Sequence, residues 1–85
     1  MNILFICTGN TCRSPMASAL CRKRLQEIGE VPESEGLRIC SAGLFAHDSL
    51  TASPEAIAVM QEEGIDISRH RSSRLRAVHV READL

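Results

Sequence analysis

The sequence predicts an α/β fold, a parallel sheet built on a β-α-β core. Three stretches carry that prediction. Asn2 to Ile6 is a continuous apolar run, as a buried parallel strand requires. Pro15 to Ile28 has helical periodicity, and Leu37 to Ser41 is a second short apolar run. A parallel pair needs a crossover of about a dozen residues or more, and the helix supplies it with right-handed sense.

In the first helix Ala17, Cys21, Leu25 and Ile28 fall on one face, so these are the residues expected to pack on the sheet. Gly29 suits its end, and Glu30 to Gly36, with Pro32, reads as a polar loop. After the second strand, Ala42 to Ala52 is a long loop holding His47 and Asp48. Ser53 is placed to cap a second helix that Pro54 begins and Gly64 ends, with Ile57 and Met60 on its apolar side. Ile65 to Leu75 reads as loop, and Arg76 to Ala83 as a short helix.

The 85 residues allow one small domain. A formal net charge of −1 gives no global attraction to nucleic acid or to an anionic membrane. Arg69, His70, Arg71, Arg74 and Arg76 crowd one stretch, which reads as a solvated basic face and not as an RNA site. No run reaches transmembrane length, and Ile3 to Ile6 is too short for a secretory core. The four cysteines, Cys7, Cys12, Cys21 and Cys40, are therefore expected to be reduced, in a cytoplasmic protein. Their spacings fit no usual zinc pair, and His47, His70 and His79 are scattered. No metal or cofactor is expected. Cys21 and Cys40 are expected in the core.

The chemistry concentrates in Cys7-Thr8-Gly9-Asn10-Thr11-Cys12-Arg13-Ser14, between the first strand and the first helix. A chain turning from strand into helix presents unpaired backbone N–H groups, which bind anions. Gly9 permits a positive φ and Asn10 tolerates one, so the loop can curl its amides inward. The same field lowers the pKa of a cysteine thiol at its floor. Arg13 can offer two parallel donors to phosphate oxygens. Ser14 has two available roles: N-cap of the helix, with Pro15 at the first helical position, or hydrogen-bond donor to the Cys7 thiolate. A cysteine alone is more often a small buried hydrophobe, so the reading rests on the whole constellation. The loop lacks the Gly-Lys-Ser/Thr ending of a Walker A motif.

Cys7 to Ser14 resembles the Cys-x-Gly-Asn-x-Cys-Arg-Ser loop of the low-molecular-weight protein phosphatases. Ser41-Ala42-Gly43, Ser53-Pro54-Glu55-Ala56 and Gly64 to Ser72 are similar to further segments of that family. The resemblance spans essentially the whole chain. It implies a Rossmann-like parallel sheet, here stopping before a third strand, so the domain of residues 1–85 reads as truncated. It also implies hydrolysis of a phosphorylated protein through a phosphocysteine on Cys7, releasing inorganic phosphate. Arg13 and the amides of residues 8 to 13 would bind the phosphoryl oxygens, and Asn10, Ser14, Ser41 and His70 would form a supporting polar network. Cys7 and Cys12 would be able to form a reversible disulfide.

Two departures sharpen the expectation. Family members take a general acid from an Asp-Pro loop late in the chain, and no Asp-Pro dipeptide stands here. Thr11 resembles the protein-arginine phosphatase subgroup, whereas tyrosine-directed members carry a bulkier aliphatic residue there. Phosphoarginine is thus favoured over phosphotyrosine. Arsenate reductases of this fold use further cysteines on a later segment, for which Cys21 and Cys40 lie too early. The alternatives are a non-catalytic phosphate-binding fragment or self-associating interaction module, and a redox sensor using Cys7 and Cys12. A two-stranded sheet would also expose edges and apolar surface, which favours self-association into a homo-oligomer.

Overall fold

The computed structural model describes residues 1–29 and 36–85; the expected polar loop over 30–35 lies outside them. The elements are β1 (Asn2–Cys7), α1 (Arg13–Glu27), β2 (Arg38–Gly43), α2 (Pro54–Glu62) and α3 (Ala77–Glu82). β1 and β2 pair in parallel, from Asn2 opposite Arg38 to Cys7 opposite Gly43. α1 packs against both strands, and α3 against β1. This is the expected β-α-β unit, with each strand running slightly further toward the site than its apolar run.

The last residues extend the sheet on the other side of β1. The Leu85 amide donates to the Asn2 carbonyl (3.1 Å), and the Leu4 amide donates to the Leu85 carbonyl (2.8 Å). Donation and acceptance by one residue across two positions of its neighbour is a rung of a parallel ladder. The Asn2 amide also donates to the Asp84 carboxylate at 2.7 Å.

α1 departs from expectation in its start and in its face. It begins at Arg13, with Cys12 as N-cap and no side-chain cap. Pro15 therefore sits one turn in, still among the amides that no intrahelical carbonyl needs, so its missing N–H costs nothing. The most buried residues of the helix are Ser14, Pro15 and Ser18, while Ala17, Cys21 and Leu25 are half-buried and Ile28 is exposed. Small side chains let the helix lie close to the sheet, and Ser18 satisfies its hydroxyl on the Pro15 carbonyl at 3.1 Å. Cys21 and Cys40, expected in the core, are likewise only half-buried.

The buried cluster is Ala52, Ala56, Met60 and Ile67, flanked by Met16, Ala19, Leu20, Ile57 and Ile65. It joins α2 to the outer side of α1. Met60, fully buried, contributes about 1.5–3 kcal/mol by leaving water. Ser53 caps α2 as expected, accepting from the Ala56 amide at 3.2 Å. Gly64 takes a φ of +72° just past that helix, where the chain reverses. α3 is shorter than expected by its two end residues; His79 Nδ1 accepts from the Arg76 amide at 2.9 Å and closes its first turn.

Candidate active site: a thiol at the floor of an anion cradle

The site lies where β1 ends and α1 begins. The positive end of the α1 dipole and its free amides face the loop 8–12. Cys7 closes the strand, and its Sγ points back at those amides: the Asn10 amide donates to it at 3.2 Å. Ser14 Oγ lies 2.9 Å from the same sulfur.

Hydrogen-bond directions in the cradle follow from its chemistry. The Ser73 amide, a donor only, contacts Asn10 Oδ1 at 2.7 Å. Asn10 Nδ2 must then face Ser14, and it donates to Ser14 Oγ at 2.7 Å. That leaves the Ser14 hydroxyl hydrogen free to point at Cys7, so the sulfur is an acceptor from both neighbours. The Asn10 carbonyl accepts from His70 Nε2 at 2.8 Å, which puts the proton of a neutral His70 on Nε2.

Burial pushes the Cys7 thiol up, but hydrogen bonds from the Ser14 hydroxyl and from the Ser14, Asn10 and Gly9 amides outweigh it. The thiol is held below its ordinary value, because every one of those donors is better satisfied by a thiolate.

Asn10 is the keystone of the curl. It is fully buried and takes a φ of +56°, the left-handed region. Gly9, the other residue expected there, does not have a positive φ. The amide side chain offsets the strained backbone by bonding to both Ser14 and Ser73, which glycine has no side chain to do. Arg13 is exposed, with Nη2 3.4 Å from Thr8 Oγ1, so its guanidinium hangs beside the loop. Thr11 is half-buried, and its carbonyl accepts from the Ser53 amide at 2.7 Å, tying the loop to the cap of α2. Cys12 is exposed.

Of the expected supporting residues, the structure brings Asn10, Ser14 and His70 together. Ser41 is the exception: among the described residues its side chain makes no hydrogen bond to the loop. It stands two residues before Gly43, inside the ladder opposite Phe5. Ser14 is resolved between its two roles: it is not the N-cap, and its hydroxyl serves the sulfur.

Sequence reasoning missed two supports. A Cβ at Gly43 would meet the Thr8 carbonyl oxygen at 2.7 Å and the Asn10 nitrogen at 2.9 Å, so only glycine lets β2 lie against the loop. Its place beside the cradle was foreshadowed only by the Ser-Ala-Gly triplet. The second support is the segment 72–73. Ser72 is buried, accepts from the Leu50 amide at 2.9 Å and donates to the His47 carbonyl, which aims the Ser73 amide at Asn10. Among the described residues no group of three acidic, histidine or cysteine side chains could hold a metal ion.

A parallel β-α-β unit thus holds a thiol below its ordinary pKa, among loop and helix-start amides at the end of its first strand. The chain belongs to the low molecular weight phosphotyrosine protein phosphatase family, whose model matches residues 2–85. It is 45% identical over 83 residues to a probable low molecular weight protein-tyrosine-phosphatase, EpsP, of Ralstonia solanacearum, covering 98% of this chain and 51% of that one. It is 46% identical over 78 residues to a protein-arginine-phosphatase of Geobacillus stearothermophilus, covering 92% of this chain and 47% of that one. Its fold matches the YwlE arginine phosphatase, solved as a mutant with a phosphorylated active-site serine, at a TM-score of 0.83. There the identity is 40%, covering 100% of this chain and 52% of that one. The chain thus spans about half the length of the relatives it matches. No helix among the described residues is long and apolar enough to cross a membrane.

Proposed function

We propose that this chain carries the phosphoryl-accepting half of a protein phosphatase. Cys7 attacks phosphorus in line, the leaving group departs, and water later hydrolyses the phosphocysteine. Arg13 and the amides of residues 8 to 13 hold the equatorial oxygens, a preorganised electrostatic contribution. Ser14 stabilises the thiolate both before attack and as it leaves phosphorus. Asn10 and His70 position the loop. The observation that carries this reading is the Cys7 sulfur accepting from both Ser14 and the Asn10 amide.

Phosphoarginine is the favoured substrate, supported by Thr11 in the loop and by arginine phosphatases among the relatives. Phosphotyrosine is the second reading, supported by the tyrosine phosphatase relatives. A thiolate nucleophile requires a reducing compartment, which supports a cytoplasmic location. Ile6, Val80 and Leu85 are exposed, and self-association through such apolar surface is the assembly we propose. Light scattering at monomer mass would refute it.

These residues hold no Asp-Pro acid, and general acid catalysis is worth about 10²–10⁴ in rate. Substrates that leave unprotonated should therefore react best. The test is turnover of para-nitrophenyl phosphate, phosphoarginine and an alkyl phosphate by the wild type and by Cys7→Ala. The expected result is Cys7-dependent release of para-nitrophenol with little turnover of the alkyl ester. Equal activity of the Cys7→Ala chain refutes the proposal.

A further inference from the structure

Segments 43–51 and 71–76 lie side by side and form one rim of the cradle. The Gly43 amide donates to the Ser73 carbonyl (2.8 Å) and the Leu75 amide to the Gly43 carbonyl (2.8 Å). The Ser49 amide reaches the Ser72 carbonyl (2.8 Å), and the Ser72 amide the Leu50 carbonyl (2.7 Å). The rim is joined to the loop at its inner side: Leu44 and Phe45 donate their amides to the Cys7 and Thr8 carbonyls, each at 2.9 Å.

Its outer side is unusual in two respects. Leu44, Phe45 and Leu50 are 53%, 79% and 47% exposed, and Phe45 is one of only two aromatic residues in the chain. The two segments also hold three arginines and one aspartate, within a chain whose net charge is −1. Asp48 is paired with Arg76. Arg71 and Arg74 are exposed, and among the described residues the Arg74 guanidinium makes no hydrogen bond. Arg71 donates to the Ser68 and His70 carbonyls and still exposes its charge. An exposed ring on the same rim as two exposed arginines is the composition of a binding surface and not of an ordinary solvated face.

We infer that this rim is a docking surface for an acidic polypeptide segment bearing an apolar residue, the stretch that flanks the phosphorylated residue of a protein substrate. The inference deepens, and rests on, the phosphate-loop reading. Positive charge on the rim selects acidic neighbours and repels basic ones. Phe45 and Leu44 take the apolar side chain. Two of the three exposed apolar residues of the rim, Leu44 and Leu50, are aliphatic, which favours polypeptide over RNA, because bases stack on aromatic faces and not on leucine. Attachment of the rim to the Cys7 and Thr8 carbonyls fixes its distance from the phosphate, so docking and phosphoryl binding act as one bivalent contact.

The test reads docking and phosphate binding separately. Fluorescence anisotropy follows an unphosphorylated peptide with Leu among Asp and Glu residues, its counterpart with Lys and Arg, and a single-stranded RNA. Inorganic phosphate binding is followed by phosphorus NMR. The acidic peptide should bind roughly tenfold more tightly than the basic one. Phe45→Ser and the double variant Arg71→Gln/Arg74→Gln should each weaken it by roughly tenfold, with the arginine effect shrinking as salt rises. Phe45→Ser should leave phosphate affinity unchanged. Equal binding of the two peptides, no effect of Phe45→Ser, or tighter binding of RNA overturns the inference. Loss of phosphate binding in the wild type instead overturns the phosphate-loop reading and leaves the peptide result standing.

Discussion

Replacing Asn10 separates the two reasons that residue is there. In Asn10→Ala the Ser73 amide loses its acceptor at 2.7 Å and the Ser14 hydroxyl loses a donor at 2.7 Å. The orphaned amide costs about 1–3 kcal/mol, and the second bond about 1 kcal/mol net, because Ser14 keeps its contact with sulfur. A β-carbon at φ +56° without the compensating side chain costs about 1 kcal/mol more. The sum is about 3–5 kcal/mol, against a typical stability of about 4–13 kcal/mol for a chain of this size. Asn10→Gly removes the same hydrogen bonds but relieves the backbone, so it should be about 1 kcal/mol less destabilised than Asn10→Ala, less a few tenths for the extra freedom of glycine in the unfolded chain. Urea unfolding of the three proteins gives both differences. If both variants fall within about 0.5 kcal/mol of wild type, Asn10 does not organise the loop. If glycine is the worse of the two, the positive φ is not the source of strain.

Three further outcomes follow from the same geometry. The folded Cys7 thiol titrates below its unfolded value, so its contribution to stability is present above the unfolded pKa and lost as pH falls through the folded one. Iodoacetamide labelling of Cys7, located by peptide mass, should therefore have its midpoint below the free-cysteine value of about 8.5, and Ser14→Ala should raise that midpoint. Gly43→Ala drives a Cβ into the Thr8 and Asn10 backbone and should cost about 1–3 kcal/mol in urea unfolding, with phosphate affinity falling as the loop is displaced. Ser53→Ala removes the α2 cap and should cost about 1 kcal/mol, while leaving the Cys7 labelling midpoint unchanged.

Much of the fold was legible because local signals and global placement agree. The apolar run before Cys7 has the composition of a buried parallel strand, and Ser53-Pro54 announced its helix by cap chemistry alone. The loop from Cys7 to Ser14 carried the site for the same reason: amides, thiol and guanidinium are adjacent in sequence. What was not legible lies in contacts distant along the chain. The Ser73 amide meets Asn10 across 63 residues, and only that contact decides that Asn10, and not Gly9, takes the left-handed turn. Ser14 could not be assigned between cap and thiolate donor until Cys12 was seen at the helix start. The buried face of α1 escaped the apolar periodicity because Ser14 and Ser18 are small and satisfied locally, so polarity misreported their burial. Ser41 was placed in the network by resemblance, yet the support at that point comes from the backbone of Gly43 and Ser73.

The central claim is that Cys7 within these residues accepts a phosphoryl group. Protein mixed with para-nitrophenyl phosphate or phosphoarginine, quenched in acid and digested, should yield a phosphocysteine on the peptide containing Cys7. Cys7→Ala, and not Cys7→Ser, is the control, because a serine there remains a possible acceptor. Phosphorylation at Cys7 that disappears in Cys7→Ala is the predicted result. An unmodified Cys7 under conditions where phosphate binds the loop would contradict the account and leave the cradle a binding site without chemistry.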